Sequence, residues 1–61
     1  MGPWKVLTEE TPVDHEEVWV RINYWFGQPC LATWHSDTEE FITTETGLTY
    51  PSWVIMRWAA Q

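Results

Sequence analysis

The sequence predicts an all-β fold, a small antiparallel sheet or partly open barrel of four or five strands, with a short C-terminal helix as the alternative for its last segment. Three observations predict it. Apolar and polar positions alternate with period two through EVWVRINYW (17–25), and the habit returns in CLATWH (30–35); such alternation marks a half-buried strand. β-Branched and aromatic residues dominate the first run. Turn-forming residues punctuate them: Pro12 inside the acidic TEETPVDHEE (8–17), Gly27 and Pro29 in FGQP (26–29), Gly47 and Pro51 in TETGLTYP (44–51).

Taken in order, WKVL (4–7) reads as a short edge strand and 8–17 as a polar loop. In the first long strand Val18, Val20, Ile22 and Tyr24 alternate with Trp19, Arg21, Asn23 and Trp25. FGQP then closes a hairpin, with Gly27 supplying the positive φ of a tight turn. Pro29 cannot donate to a ladder, which opens the turn from two residues to four. Either length sets Trp25 opposite Cys30 and Arg21 opposite Trp34. EFITT (40–44) is a third strand, 44–51 a loop or turn, and SWVIMRW (52–58) a last strand. Good helix formers in VIMRWAAQ and a capping Ser52 support the helical alternative; Val54, Ile55 and the shortness of the run favour the strand. As a strand it sets Trp53, Ile55 and Arg57 on one face and Val54, Met56 and Trp58 on the other.

Sixty-one residues make one domain, 1–61. A chain of this size buries only about 60% of its unfolded surface, and Cys30, the single cysteine, allows no internal disulfide. Oligomerisation is the remedy left, so a homo-oligomer is expected. No apolar run reaches the roughly 18 residues of a membrane span, and acids fall within the first ten residues, unlike a signal peptide. The expectation is a cytoplasmic protein of a bacterium or infected host cell. Nine acids against Lys5, Arg21 and Arg57 give a net charge of −6. That balance excludes a face for duplex nucleic acid or an anionic membrane. It still admits a small anion, which one or two arginines can hold.

The expected hairpin register sorts the strands into an aliphatic face (Val18, Val20, Ile22, Tyr24, Leu31, Thr33, His35) and a face where Trp19, Trp25 and Trp34 surround Arg21 and Asn23, beside Cys30 and Ala32. Each aromatic can bury roughly 150–250 Å², so at about 25 cal/mol per Å² the three indoles represent on the order of 10 kcal/mol. Three uses fit: a second core face closed by the chain itself with Arg21 across Trp34, a protein interface, or a small-molecule site. The last strand adds Trp53 and Arg57 to the set.

Catalytic and metal motifs are thin. Asp14-His15-Glu16-Glu17 is the one ligand-type cluster, and neighbours in a loop rarely converge on an ion. Cys30 and His35 fall on opposite strand faces, the acids gather in solvated loops, and the three glycines are isolated. The expectation is a non-enzyme with no cofactor and no metal. Its candidate ligand-binding residues are Trp19, Arg21, Asn23, Trp25, Trp34, Trp53 and Arg57, since aromatic faces take a nucleobase and a guanidinium takes phosphate.

The order Trp4, Leu7, Thr11-Pro12, Glu16-Glu17, Val18-Trp19-Val20, Ala32, Phe41, Val54, Trp58 resembles a family of short bacterial and prophage proteins of unknown function. Their pattern is a Trp, an "LPEEG"-like turn, a "VLV" strand, a hairpin with Trp or Phe, and a closing "THWMPLP" segment. Here RWAAQ replaces the proline-rich ending. The resemblance implies a small β-rich fold and a phage or mobile-element setting, where small proteins neutralise host defences. With the Trp/Arg set it gives the expected function: a sponge that sequesters a small nucleotide, such as a cyclic nucleotide immune signal, in an oligomer. The alternative is a module or inhibitor that docks a host or phage protein through its Trp-rich face.

Overall fold

A computed structural model describes residues 2–22 and 28–61. The fold is all-β. Its strands are β1 (Glu17–Ile22), β2 (Cys30–His35), β3 (Glu40–Thr43), β4 (Thr49–Pro51) and β5 (Ile55–Ala59), with a 3-10 turn over Ser52–Val54. All neighbours are antiparallel in one sheet ordered β4-β3-β2-β1-β5. Consecutive β4 and β5 therefore lie at opposite edges. In a flat sheet four strand spacings of about 4.8 Å would part them by about 19 Å. The link from Pro51 to Ile55 reaches at most about 14 Å. The sheet must roll up, and it encloses a core of Val18, Val20, Ile22, Ala32, Trp34, Phe41, Val54, Ile55 and Trp58.

β1 shows the expected alternation, with Val18, Val20 and Ile22 inward. The register does not follow expectation. Val18 lies opposite Ala32 and Val20 opposite Cys30, so the ladder ends well short of a Trp25–Cys30 pair. Partner numbers now sum to 50 instead of 55, an odd slip, and an odd slip exchanges the faces of one strand relative to the other. Cys30, Ala32 and Trp34 join Val18 and Val20 inside, while Leu31, Thr33 and His35 join Trp19 on the outside. The reason is packing. Ala32, fully buried between Val18 and Thr43, leaves room in the rolled sheet for Trp34 to meet Phe41, ring centroids 4.8 Å apart. Asn23, Tyr24, Trp25, Phe26 and Gly27, which held the expected end of the strand and its turn, lie outside the described residues.

Three more expectations change. The loop at 44–51 contains β4, paired to β3 through Tyr50 opposite Phe41. The preceding turn closes on Gly47 at φ +71° and on the Thr43 hydroxyl, which accepts from Leu48 N at 3.0 Å. Pro51 is tolerated at the end of an edge strand. Residues 52–58 form neither a helix nor one straight strand. The 3-10 turn comes first, and a bulge then slips the β1–β5 register so that Arg21 faces Arg57 but Ile22 faces Ile55. Met56 absorbs the extra residue, so Ile55 and Trp58 are both buried while Met56 and Arg57 are exposed. The edge strand at 4–7 shrinks to a bridge between Lys5 and Trp58, with reciprocal backbone bonds of 2.7 and 3.1 Å.

Candidate ligand-binding face

Alternation in β1 turns Trp19 and Arg21 to the outer sheet face, and the β5 bulge brings Arg57 to that face directly opposite Arg21. Without the bulge Arg57 would share the core side with Ile55. The Lys5–Trp58 bridge carries Trp4 to the same outer face, where the Arg21 guanidinium carbon stands 5.9 Å from its ring centroid. Trp4 and Trp19 are half-buried, and both arginines are exposed.

This pair of cations is unusual for its surroundings. Like charges directly opposed across a strand pair are destabilising, and the chain has nine carboxylates available against three cations. Among the described residues, however, the ion pairs are Lys5–Glu10 at 2.9 Å and His15–Asp14 at 3.5 Å, and neither arginine has one. Arg57 Nη1 donates to the neighbouring Met56 carbonyl, at 3.1 Å. Two guanidinium forks flanked by two indoles can hold a phosphate bidentately and stack a base. Beside this face Trp19 also borders a cavity of about 610 Å³ whose walls include Ile22, Cys30, Leu31 and Tyr50.

Of the expected ligand-binding residues the fold brings together Trp19, Arg21 and Arg57. Trp34 is not among them: it is 3% exposed and packs in the core, so Arg21 crosses Trp4 rather than Trp34. Trp53 stands on the 3-10 turn, 77% exposed. Asn23 and Trp25 lie outside the described residues. Trp4 was missed because no alternation reaches it; its place at the head of the family-like pattern was the available signal.

The residues with chemical potential elsewhere are few. Burial, and then the charge of Glu45, push the Cys30 thiol up from its usual pKa of 9.0, which keeps it protonated and weakly nucleophilic at neutral pH. His15, held at φ +65°, meets His35 edge-on with centroids 4.9 Å apart. Sequence reasoning missed that contact for want of the register: His15 N donates to Trp34 O and Trp34 N to Glu16 O, which extends the β1–β2 ladder to His15. Among the described residues no group of three or more His, Cys, Asp or Glu side chains could hold a metal ion.

Asp14 fastens the same corner. Its carboxylate accepts from Ser36 N at 2.9 Å; that bond, then the Ser36 side chain and the two histidines, hold its pKa below the usual 3.8. A depressed acid stabilises the fold above its unfolded pKa and loses that contribution as pH falls through the lower folded value. Asp14→Asn is therefore expected to flatten the dependence of the urea midpoint on pH below about pH 4. An unchanged acid limb in the variant would remove Asp14 as its source.

No helix among the described residues is long and apolar enough to cross a membrane. No family model matches the chain, and neither a curated protein nor a solved structure does.

Proposed function

We propose that this is a non-enzymatic binding protein that sequesters a small nucleotide-type anion on the outer face of β1 and β5. Arg21 and Arg57 clamp the phosphate, and Trp4 and Trp19 offer their rings to the base. The observation that carries this reading is the pair of directly opposed arginines, without a carboxylate partner among the described residues of a chain with nine acids. An anion between them relieves their repulsion, so free energy lost in the empty fold returns as affinity. A second subunit over the half-buried indoles completes the enclosure that two side chains per copy leave open. The family resemblance adds the setting, a phage or prophage protein acting on a cyclic nucleotide immune signal. A second reading, a protein-docking module, is favoured by the exposure of Trp53 and Met56.

Native mass spectrometry with a panel of cyclic mono- and dinucleotides tests the proposal. The expected result is a discrete oligomer carrying a stoichiometric nucleotide mass. In titration calorimetry Arg21→Ala and Arg57→Ala should each weaken binding by about tenfold or more, the worth of one hydrogen-bonded charge contact. Failure of every nucleotide to bind, or binding untouched by both substitutions, overturns it.

A further inference from the structure

We propose that His15 and His35 form a binding site for a borderline divalent transition ion such as Zn²⁺ or Ni²⁺, with Asp14 orienting the first imidazole. The pair stands at the far end of β1 from the arginines. His15 lies six residues before Arg21, about 20 Å along an extended chain. The site is therefore independent of the nucleotide reading.

A bulge brings the two histidines together. His15 N donates to Trp34 O at 2.7 Å and Trp34 N donates to Glu16 O at 3.0 Å, so His15 and Glu16 share one partner on β2. The first residue of such a bulge takes a left-handed conformation, and glycine is its usual occupant. Here a histidine holds it, at φ +65°. Histidine enters that region more readily than most residues, though less readily than glycine. Backbone strain of this kind gathers at functional sites. In this case it sets an imidazole beside His35.

The separation of the rings suits a shared ion. An imidazole nitrogen binds Zn²⁺ at about 2.0–2.1 Å, which sets the ring centroid about 3.2 Å from the metal. Two imidazoles on one ion, at angles between square and tetrahedral, have centroids about 4.5–5.2 Å apart. The His15 and His35 centroids are 4.9 Å apart. The rings meet edge-on at 77°, but turning an imidazole about its Cβ–Cγ bond hardly moves its centroid. That torsion is broad for histidine. His15 is exposed and His35 half-buried, so both have room to turn a nitrogen toward the ion.

Hydrogen bonding and charge favour the same occupant. Asp14 Oδ2 stands 3.5 Å from His15 Nδ1, and Asp14 Oδ1 accepts from Ser36 N at 2.9 Å. A carboxylate fixed beside Nδ1 holds the proton there and leaves the Nε2 lone pair for a metal, the usual arrangement of a metal-bound histidine. His35 has Glu40 opposite it on β3, a second carboxylate. Imidazoles select Zn²⁺, Ni²⁺ or Cu²⁺ over Mg²⁺ and Ca²⁺, which take oxygen ligands. No third His, Cys, Asp or Glu completes the set among the described residues, so water fills the remaining positions of the ion.

The experiment is calorimetric titration of the whole chain with Zn²⁺, Ni²⁺ and Mg²⁺ at neutral pH, paired with amide and imidazole NMR. The expected result is one Zn²⁺ or Ni²⁺ per chain, no response to Mg²⁺, and shifts centred on Asp14, His15, His35 and Ser36. His15→Gly should abolish binding while its urea midpoint stays at or above that of the parent, since glycine suits the positive φ. His35→Gln should weaken binding as strongly, and Asp14→Asn by about tenfold. Cys30, on the inner side of β2, is the control, and Cys30→Ser should leave binding intact. Binding that survives His15→Gly or His35→Gln would reduce the site to a lone surface imidazole and overturn the proposal. Loss of binding in Cys30→Ser would overturn it too, as would the absence of heat and shifts with both transition ions.

Discussion

Phe41→Ala is expected to leave the chain mostly unfolded at room temperature. Phe41 is fully buried at the centre of the rolled sheet, with Tyr50 beside it on β4 and Trp34 on β2, its ring 4.8 Å from the Trp34 ring. Truncating such a phenylalanine costs about 3–5 kcal/mol. A chain of 61 residues has a total stability of only about 3–9 kcal/mol. The loss is therefore comparable with the whole. Urea unfolding followed by circular dichroism checks it: the midpoint should collapse for Phe41→Ala, whereas Phe41→Leu, nearer in volume, should stay folded with a loss of about 1.5 kcal/mol or less. A Phe41→Ala midpoint close to that of the parent would mean that this region does not form the core.

The consequences of such tight packing also explain which parts of the fold were legible. Alternation revealed β1, β2 and β3 because it is a local property, and β2 over Cys30–His35 matched to the residue. Register is not local. A Gly and a Pro in FGQP favoured a short hairpin, but a short hairpin would put Cys30, Ala32 and Trp34 outside with Trp19 and turn Leu31, Thr33 and His35 toward Val18 and Val20 instead. The packing gain from placing Trp34 against Phe41 outweighs turn preference, since one buried indole is worth more than a favourable turn. β4 was hidden because three residues, Thr49–Pro51, are too few to show a period. The bulge at Met56 was hidden because it breaks the period on which strand reading depends.

The candidate site was half legible for the same reasons. Arg21 and Arg57 stood out as two of three cations in a chain rich in tryptophan. That they face each other follows only from the bulge, and that Trp4 joins them follows only from the bridge at Lys5. Trp34 was misassigned wherever the register was. A tryptophan in an alternating strand thus announces burial or function equally, and only the partner strand decides between them.

Trp58 is where core, N-terminal segment and acidic loop are tied together, and its substitution should separate their contributions. Its ring is 3% exposed, its backbone bonds Lys5 in both directions, its Nε1 reaches Glu10 O at 2.7 Å, and Lys5 Nζ stands 5.0 Å from its ring centroid. Trp58→Phe keeps a large apolar ring but strands the Glu10 carbonyl, an expected cost of about 1–3 kcal/mol. Trp58→Ala removes the ring as well and should cost about 3–5 kcal/mol, enough to compete with global stability. The distinction is readable by hydrogen exchange. In Trp58→Phe, faster exchange should be confined to Glu9, Glu10 and Lys5, whose amides are tied to Val6 and Trp58, while β2 and β3 stay protected. Uniform acceleration in Trp58→Phe would show that the indole N–H supports the whole sheet rather than the loop. Unchanged exchange at Glu9 and Glu10 would show that the Val6 carbonyl alone holds this part of the acidic loop.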